Sequence, residues 1–448
     1  MPQKLEIAVV GGGIAGLSAA WLLSRRHNVT VFEREGWTGG HANTVTVTLD
    51  GRTTPVDTGF IVYNETNYPN LVALFDHLGV ATQESNMSFG VSLDGGRLEY
   101  SSRVPSGLFG QRMNAARPSF WRMLADVRRF YAEAPAALSA GQLRDISIGA
   151  YLDRQGYSQG FRDDHLLPMA AAIWSTSTRD MANCPAETFV RFFQSHSLLE
   201  LHGRPQWRTV TGGSREYVAR LIEPFAQRIR NTNPVARIVR RPGSVTITDV
   251  AGRNHDFDHV VIAAHADEAL AMLAEPSADE TELLGAIPYT RNRAYLHRDA
   301  ERMPRRRAVW ASWNYIADGQ GTDDAPPEVT YWLNLLQGLP GREDIFLSLN
   351  PAHEPDPART DAVFAYDHPM FNQTALAAQR ELWALQGKRN TWFCGSYFGY
   401  GFHEDALQSG LAAAELLGGV TRPWILPDPS NRLWITDAAP DVPAMAAE

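Results

Sequence analysis

The sequence predicts an α/β fold in which a split, Rossmann-like nucleotide-binding domain is interleaved with an α+β substrate domain. Three observations predict it. A strand, a glycine turn, a helix, a second strand and an acid arrive in order within the first 35 residues. Strand–helix units of the same buried character return near residues 210 and 391. Between them lie two stretches of different composition, one helical and aromatic, the other built of alternating strands.

Residues 5–10 read as a buried parallel strand, 11–16 as a turn, 17–26 as a helix and 29–33 as a second strand. Alternation over 44–49 predicts another strand. The apolar period of 67–78 predicts a helix with Pro69 in its first turn. From about Ser101 the chain becomes rich in aromatics and Met, with helices expected over 119–138, 148–155, 164–172 and 187–199. The nucleotide-binding pattern resumes at Val210, Thr211, Gly212 and Gly213, where Ser214 is placed to cap a helix over 216–227. Strands are expected at 234–239, 245–248 and 258–263, and a helix at 267–273. Strands at 308–315, 330–336 and 345–349 depart again, with a Gly-, Asp- and Pro-rich loop at 318–328. A strand at 391–395 and a helix at 406–417 complete the pattern, and the Pro- and Ala-rich tail from Thr421 is expected on the surface. The nucleotide domain is thus assigned residues 1–85, 205–285 and 390–425. The substrate domain takes 86–204 and 286–389, and 426–448 form a C-terminal tail.

Bulk properties narrow the function. The 448 residues suggest two or three domains, and 44% hydrophobic with 20% charged residues is an ordinary globular profile. A net charge of -9 argues against a nucleic-acid partner, which needs a positive footprint. Cys184 and Cys394 provide neither a disulfide framework nor a zinc spacing, so no metal is expected. The chain enters a strand almost at once and has no apolar run long enough to span a bilayer. The expectation is a cytoplasmic protein, with peripheral contact at the inner face of the membrane left open.

Gly11, Gly13 and Gly16 fit G-x-G-x-x-G, with Ile14 and Ala15 between the last two. Gly11 permits the tight turn, Gly13 lets the backbone approach a pyrophosphate, and Gly16 lets helix lie close on strand. The helix N-terminus offers free N–H groups to the anion. Glu33, 20 positions after Gly13, suits the ribose hydroxyls, with Glu35 a nearby competitor.

The Gly11–Gly16 turn, Glu33 and Gly39-Gly40 together resemble the FAD signature of the flavin-containing amine oxidase and phytoene desaturase superfamily. That resemblance implies FAD as cofactor, in a split Rossmann-like FAD-binding domain of GR2 type. It implies contacts from Ile14, Ala15, Arg34, Gly39, Gly40 and His41, the last a switchable positive charge near the flavin. Val235 matches the residue whose backbone meets adenine. Gly395, Ser396, Gly401, Phe402 and His403 match the C-terminal flavin segment, although Ser396 stands where relatives often have an acid. A helix starting near Glu404 would aim its positive end at the flavin. The stretches containing Gly59, Phe60 and Ile61 and containing Gly399–Asp405 resemble, more narrowly, a bacterial FAD/NAD(P)-binding amine-oxidase-like group associated with fatty acyl modification. This implies a fatty acyl or other apolar small-molecule substrate and a lipid methyltransferase as a pathway partner.

The chemistry follows from what is present. Amine oxidases of the superfamily place a lysine near the reactive flavin nitrogen, and the matching residues 329–334 hold none. Met169, Trp174, Phe189, Phe192 and Phe193, with Trp310, Trp313, Tyr331 and Trp332, either line an apolar tunnel or fill cores. His403 and Glu404 are candidates for removing a proton, or for helix capping and cofactor support. Tyr63 is a third candidate from the same cavity, and Asp57 has a structural reading. The expected function is FAD-dependent desaturation or dehydrogenation of an unsaturated or methyl-branched fatty acyl chain. Double-bond isomerisation and amine oxidation are the alternatives.

Overall fold

The computed structural model describes residues 4–201, 203–317 and 328–435. Most of the loop expected at 318–328 and the end of the tail lie outside the described residues. No helix among the described residues is long and apolar enough to cross a membrane.

The chain folds as the α/β architecture expected. Five parallel strands run Ile229–Arg230, Asn28–Phe32, Glu6–Val10, His259–Ile262 and Thr391–Phe393 in spatial order. Ile7 to Val10 are buried, as a strand covered on both faces requires. One face carries the helices Ile14–Ser24 and His403–Gly418, which cross closely enough that a Cβ on Gly410 would stand 2.2 Å from the Ala15 carbonyl oxygen. The antiparallel ribbon Val235–Arg241, Ser244–Asp249 and Asn254–Phe257 packs on the other face.

The two inserted stretches share a second sheet. Its seven strands are ordered Thr360–Pro369, Tyr289–His297, Phe346–Leu349, Glu328–Trp332, Trp313–Ala317, Phe89–Leu93 and Leu98–Ser101. The join between stretches is the parallel pairing of Trp313–Ala317 with Phe89–Leu93. Helices Pro118–Ser139, Ile148–Arg154, Leu167–Trp174, Thr178–Asn183 and Ala186–Ser195 pack around Phe130, Tyr151, Phe161, Phe189 and Phe193, all fully buried. Each such ring contributes about 1.5–3 kcal/mol of transfer free energy.

Several local expectations are corrected. The strand expected from 308 begins at Trp313, because Asn314 turns its side chain onto the Ala311 amide and carbonyl and folds 307–312 into a turn. The strand expected to reach 336 ends at Trp332 and continues as a helical turn, Leu333–Leu336. Ser214 does not cap its helix; its hydroxyl donates to Asp57 at 2.7 Å. Asp57 also accepts from the Ser214 amide, the Thr44 hydroxyl and the Gln337 side chain, so this buried carboxylate ties three distant segments together. The tail is not simply superficial. Arg422 is buried against Glu415 at 2.7 Å, and Trp424 stacks on Trp21.

Candidate functional site

A continuous cavity of about 1220 Å³ runs from the parallel sheet to the second domain. It opens at Val10, Phe32, Ala263 and Gly395, at or just past the carboxyl ends of four parallel strands. Strand Glu6–Val10 has its sequence neighbour on one side and a strand some 250 residues later on the other. Such a switch point leaves a crevice between diverging connections, where ligands of open α/β sheets bind.

The three motif glycines serve three different needs. Gly11 has φ +109°, and a Cβ there would lie 2.5 Å from the Ala263 carbonyl oxygen. A Cβ on Gly16 would lie 2.0 Å from the Gly11 oxygen, so Gly16 sits beneath the turn and does not line the cavity. Gly13 has an ordinary backbone, and a Cβ there would meet nothing within 4 Å. The second glycine pair docks on the first: the Gly39 amide donates to the Gly12 carbonyl at 2.8 Å, and a Cβ on Gly40 would reach the Gly13 Cα at 3.0 Å.

Glu33 is buried at the strand end and accepts from the amides of Gly12 at 2.6 Å and Glu35 at 2.7 Å. Burial raises its pKa against the pull of those two donors. Its competitor Glu35 pairs with the exposed Arg34, which also reaches Glu268 at 2.6 Å; all four line the same end of the cavity, with Val235. Ile14 and Ala15, at the start of the first helix, line it too.

Deeper in, His41 packs 4.9 Å from the Tyr366 ring and 5.5 Å from His368. Burial first, then the neighbouring His368, His265 and His403, hold its pKa well below the ordinary histidine value. His41 is therefore a neutral imidazole and not the positive charge expected. Its buried Nε2 has no hydrogen-bond partner among the described residues. His403 stacks on Phe60 at 3.8 Å, and its Nε2 lies 2.7 Å from the Tyr217 hydroxyl. Burial lowers its pKa to about 3. Gly59, Ile61, Gly395, Ser396, Gly401 and Phe402 complete this part of the wall.

Two of the three expected catalytic residues are elsewhere. Glu404 does not line the cavity; its carboxylate accepts from the amides of Asn70 and Leu71, each at 3.0 Å, and from the side chains of Asn70 and Gln408. It satisfies the free N–H groups at the start of helix Pro69–Leu78, whose own N-cap, Tyr68, makes no side-chain cap. One step along a helix turns a side chain by about 100°, which separates Glu404 from His403. Tyr63 is buried with its ring against Tyr68 and Phe75 and also does not line the cavity.

The far end is apolar. Of the nine aromatics and Met singled out, Trp174, Phe192, Trp313 and Tyr331 line it, whereas Phe189 and Phe193 fill the core. Met169 packs against that core, and Trp310 and Trp332 form a separate cluster with Phe346. The lining residues drawn from 173–198 and 313–349 include no charged side chain. The chain's two lysines are remote from this wall: Lys388 pairs with Asp279 on the surface, and Lys4 precedes the first strand.

Two polar atoms on this wall were not anticipated. Trp313 Nε1 and His196 Nε2 are buried without hydrogen-bond partners among the described residues. His196 Nδ1 lies 3.0 Å from the Phe192 carbonyl, which can only accept, so the proton sits on Nδ1 and Nε2 presents a lone pair. Burial lowers the His196 pKa to about 3, keeping the ring neutral. The only sequence signal was its position four residues after Phe192 on one helix face.

The cyclohexylamine oxidase from Brevibacterium oxydans superposes with a TM-score of 0.64 at 16% identity, covering 93% of this chain and 99% of that one. The CLA-producing fatty acid isomerase from P. acnes gives 0.62 at 15% identity with the same coverage. At such identities the likeness is one of fold. A Mycobacterium tuberculosis protein assigned as a flavin-containing monoamine oxidase is 26% identical over 282 residues. The match takes in 61% of this chain and 60% of that protein, so it spans less than two thirds of the relative's length. The profile of the flavin containing amine oxidoreductases matches residues 14–295, well over half of the chain. With the strand–turn–helix opening and the cavity at its switch point, the chain belongs to the flavin containing amine oxidoreductase family, whose cofactor is FAD.

Proposed function

We propose that the protein is an FAD-dependent oxidoreductase that dehydrogenates an unsaturated or methyl-branched fatty acyl chain. The observation that carries this reading is the charge-free wall at the far end of the cavity. Two features fit FAD at the near end. The open space in front of Gly13 is what a pyrophosphate would fill, and the unpartnered His41 Nε2 is a polar atom awaiting a neighbour. The turn at Gly11–Ala15 would hold the pyrophosphate, Glu33 the adenosine ribose and Val235 the adenine. Gly39 to His41, Gly59 to Ile61, and the Gly395–His403 segment would surround the flavin.

FAD supplies a two-electron acceptor for hydride. Everything else falls to the chain. Trp174, Phe192, Trp313 and Tyr331 exclude water and hold an apolar chain, each buried CH₂ contributing about 0.8 kcal/mol before ordering costs. His196 Nε2 accepts a hydrogen bond from a polar part of the substrate and fixes its depth. The hydride would pass to FAD and the proton of the neighbouring carbon to water in the open part of the cavity, since no charged base stands on this wall; a C–H activated by an adjacent double bond gives up that proton most readily. His403, neutral and stacked on Phe60, supports the flavin edge. A methyl-branched substrate would come from a methyltransferase acting upstream.

Isomerisation is the second reading, favoured by the same lack of a charged base, since a hydride passed out and back needs no net proton removal. Anaerobic mixing with unsaturated acyl lipids, read by flavin absorbance and product mass, separates the possibilities. Bleached flavin with a product lighter by two hydrogens supports dehydrogenation; unchanged mass with a moved double bond supports isomerisation. Rapid bleaching by simple amines with none by acyl lipids overturns both in favour of amine oxidation.

A further inference from the structure

On the helical side of the second domain one stretch combines exposed arginines with exposed large apolar side chains. The chain carries a net charge of -9, yet from Tyr100 to Ala125 there is no acidic residue, and Arg103, Arg112, Arg117 and Arg122 fall within that stretch. Arg112 and Arg122 are exposed, and no carboxylate among the described residues pairs with either. Arg103 and Arg117 bond only to neutral acceptors, the Trp310 and Arg97 carbonyls and the Asn114 side chain.

The same stretch holds large apolar groups out of the core. Val104 is 73% exposed, Met113 63% and Trp121 50%. They sit on a loop, on the 3-10 turn Arg112–Ala116 and in the first turn of Pro118–Ser139. These pieces are fastened together: the Phe109 amide donates to the Pro105 carbonyl, the Phe109 ring lies 5.7 Å from Trp121, and the Trp121 indole donates to the Ala115 carbonyl at 2.9 Å. The residues therefore form one built surface rather than scattered exposures.

We infer that the surface of residues 103–122 docks the protein on an anionic lipid bilayer, with Val104, Met113 and Trp121 entering the interface and the arginines facing lipid phosphates. Tryptophan and aliphatic tips ringed by arginine suit the headgroup boundary, where an apolar body and a cation are both satisfied. The charge selects anionic lipid, whereas a two-fold contact with a second copy would set these arginines against their own counterparts. The inference stands on surface composition alone and is independent of which substrate the cavity takes.

The test uses the full-length, flavin-loaded protein and sucrose-filled vesicles. The protein is expected to sediment with equimolar phosphatidylcholine and phosphatidylglycerol, to stay in solution with phosphatidylcholine alone, and to be released as salt is raised. The double variants Trp121→Ser with Met113→Ser, and Arg112→Glu with Arg122→Glu, should each lower the bound fraction at least about tenfold with flavin content unchanged. Ile425→Ser, at a 98% exposed position outside the stretch, should bind as the parent does. Failure of the parent to bind anionic vesicles overturns the inference, as does binding by both double variants equal to the parent's. A concentration-dependent dimer that Trp121→Ser abolishes would assign the face to a second copy instead, and also overturns it.

Discussion

The two ends of the cavity are built from different materials. The end at the parallel sheet is mostly backbone: Gly11, Gly13, Gly39 and Gly40 bring main chain against main chain, and Glu33 fastens the turn. The far end is almost all side chain, drawn from the helices near Trp174 and Phe192 and from strands at Trp313 and Tyr331. A backbone site tolerates almost no added atom, whereas a side-chain wall can be recut without disturbing the fold. The first end should therefore respond to mutation through cofactor and stability, the second through substrate.

The largest contrast lies within the glycine motif itself. Gly16→Val should prevent folding, because its side chain would begin 2.0 Å from the Gly11 oxygen. Gly13→Val should fold and yet lose FAD, because only the ligand space is filled. Loss of a ligand present at a hundred times its Kd removes about 2.7 kcal/mol, so the melting temperature should drop as well. Flavin content after purification, beside circular dichroism, checks both; a flavin-replete Gly13→Val would mean the space is not the phosphate site.

Next comes Glu404→Ala, which strips the cap from helix Pro69–Leu78 and leaves buried amides of Asn70 and Leu71 unpaired. About 3 kcal/mol of stability should go, with KM for the substrate little changed. A preserved denaturation midpoint with a collapsed kcat would return Glu404 to the chemistry.

A smaller, opposite pattern is expected for His196→Phe: stability near that of the parent and KM raised about tenfold, equivalent to ~1.4 kcal/mol. An unchanged KM would mean the lone pair on Nε2 meets only water.

The pH response should separate the two buried histidines from Asp57. His196 and His403 have folded pKa values near 3, below the ordinary 6.5. Below 6.5 the unfolded chain binds protons the folded one refuses, so their contribution to stability is present above 6.5 and is lost as pH falls toward 3. Asp57 runs the other way, its folded pKa raised to about 6 by burial, so its contribution is present below 3.8 and lost as pH rises to 6. Melting temperatures of the parent and of His196→Phe, close at neutral pH, should diverge toward acid as the parent alone loses the His196 contribution; parallel curves would show that His196 is not buried neutral.

Legibility in the sequence follows the same division. The turn could be read because a backbone that must approach a ligand or another chain segment demands glycine at fixed offsets, and Gly11, Gly13 and Gly16 satisfy them. His41 was misread as a charge because burial, its main neutralising influence, comes partly from Tyr366 and His368, more than 300 residues away in the chain. Glu404 was misplaced because adjacent helical residues face different directions, and no periodicity says which one meets the cavity. Strands Tyr289–His297 and Thr360–Pro369, which pair with each other at the edge of the large sheet, alternate polar and apolar residues too loosely to be recognised. The tail read as surface because it is rich in Pro and Ala, although the side chains of Arg422 and Arg432 within it are largely buried and each finds a carboxylate partner.

The pairing of Arg432 with Asp405 has a consequence for how the protein is made. Asp405 accepts from the Phe402 amide at the start of the helix that walls the cavity, and Arg432 holds that carboxylate at 3.2 Å while also reaching the Asn67 carbonyl. The first strand, residues 6–10, is made early, but the opposite wall of its crevice ends at Ala406, on a helix start that Arg432 braces through Asp405. A nascent chain therefore carries an open crevice, and an unsheltered aromatic wall, for nearly the whole of its synthesis. The crevice can therefore be walled on both sides only after the segment 395–406 has been made.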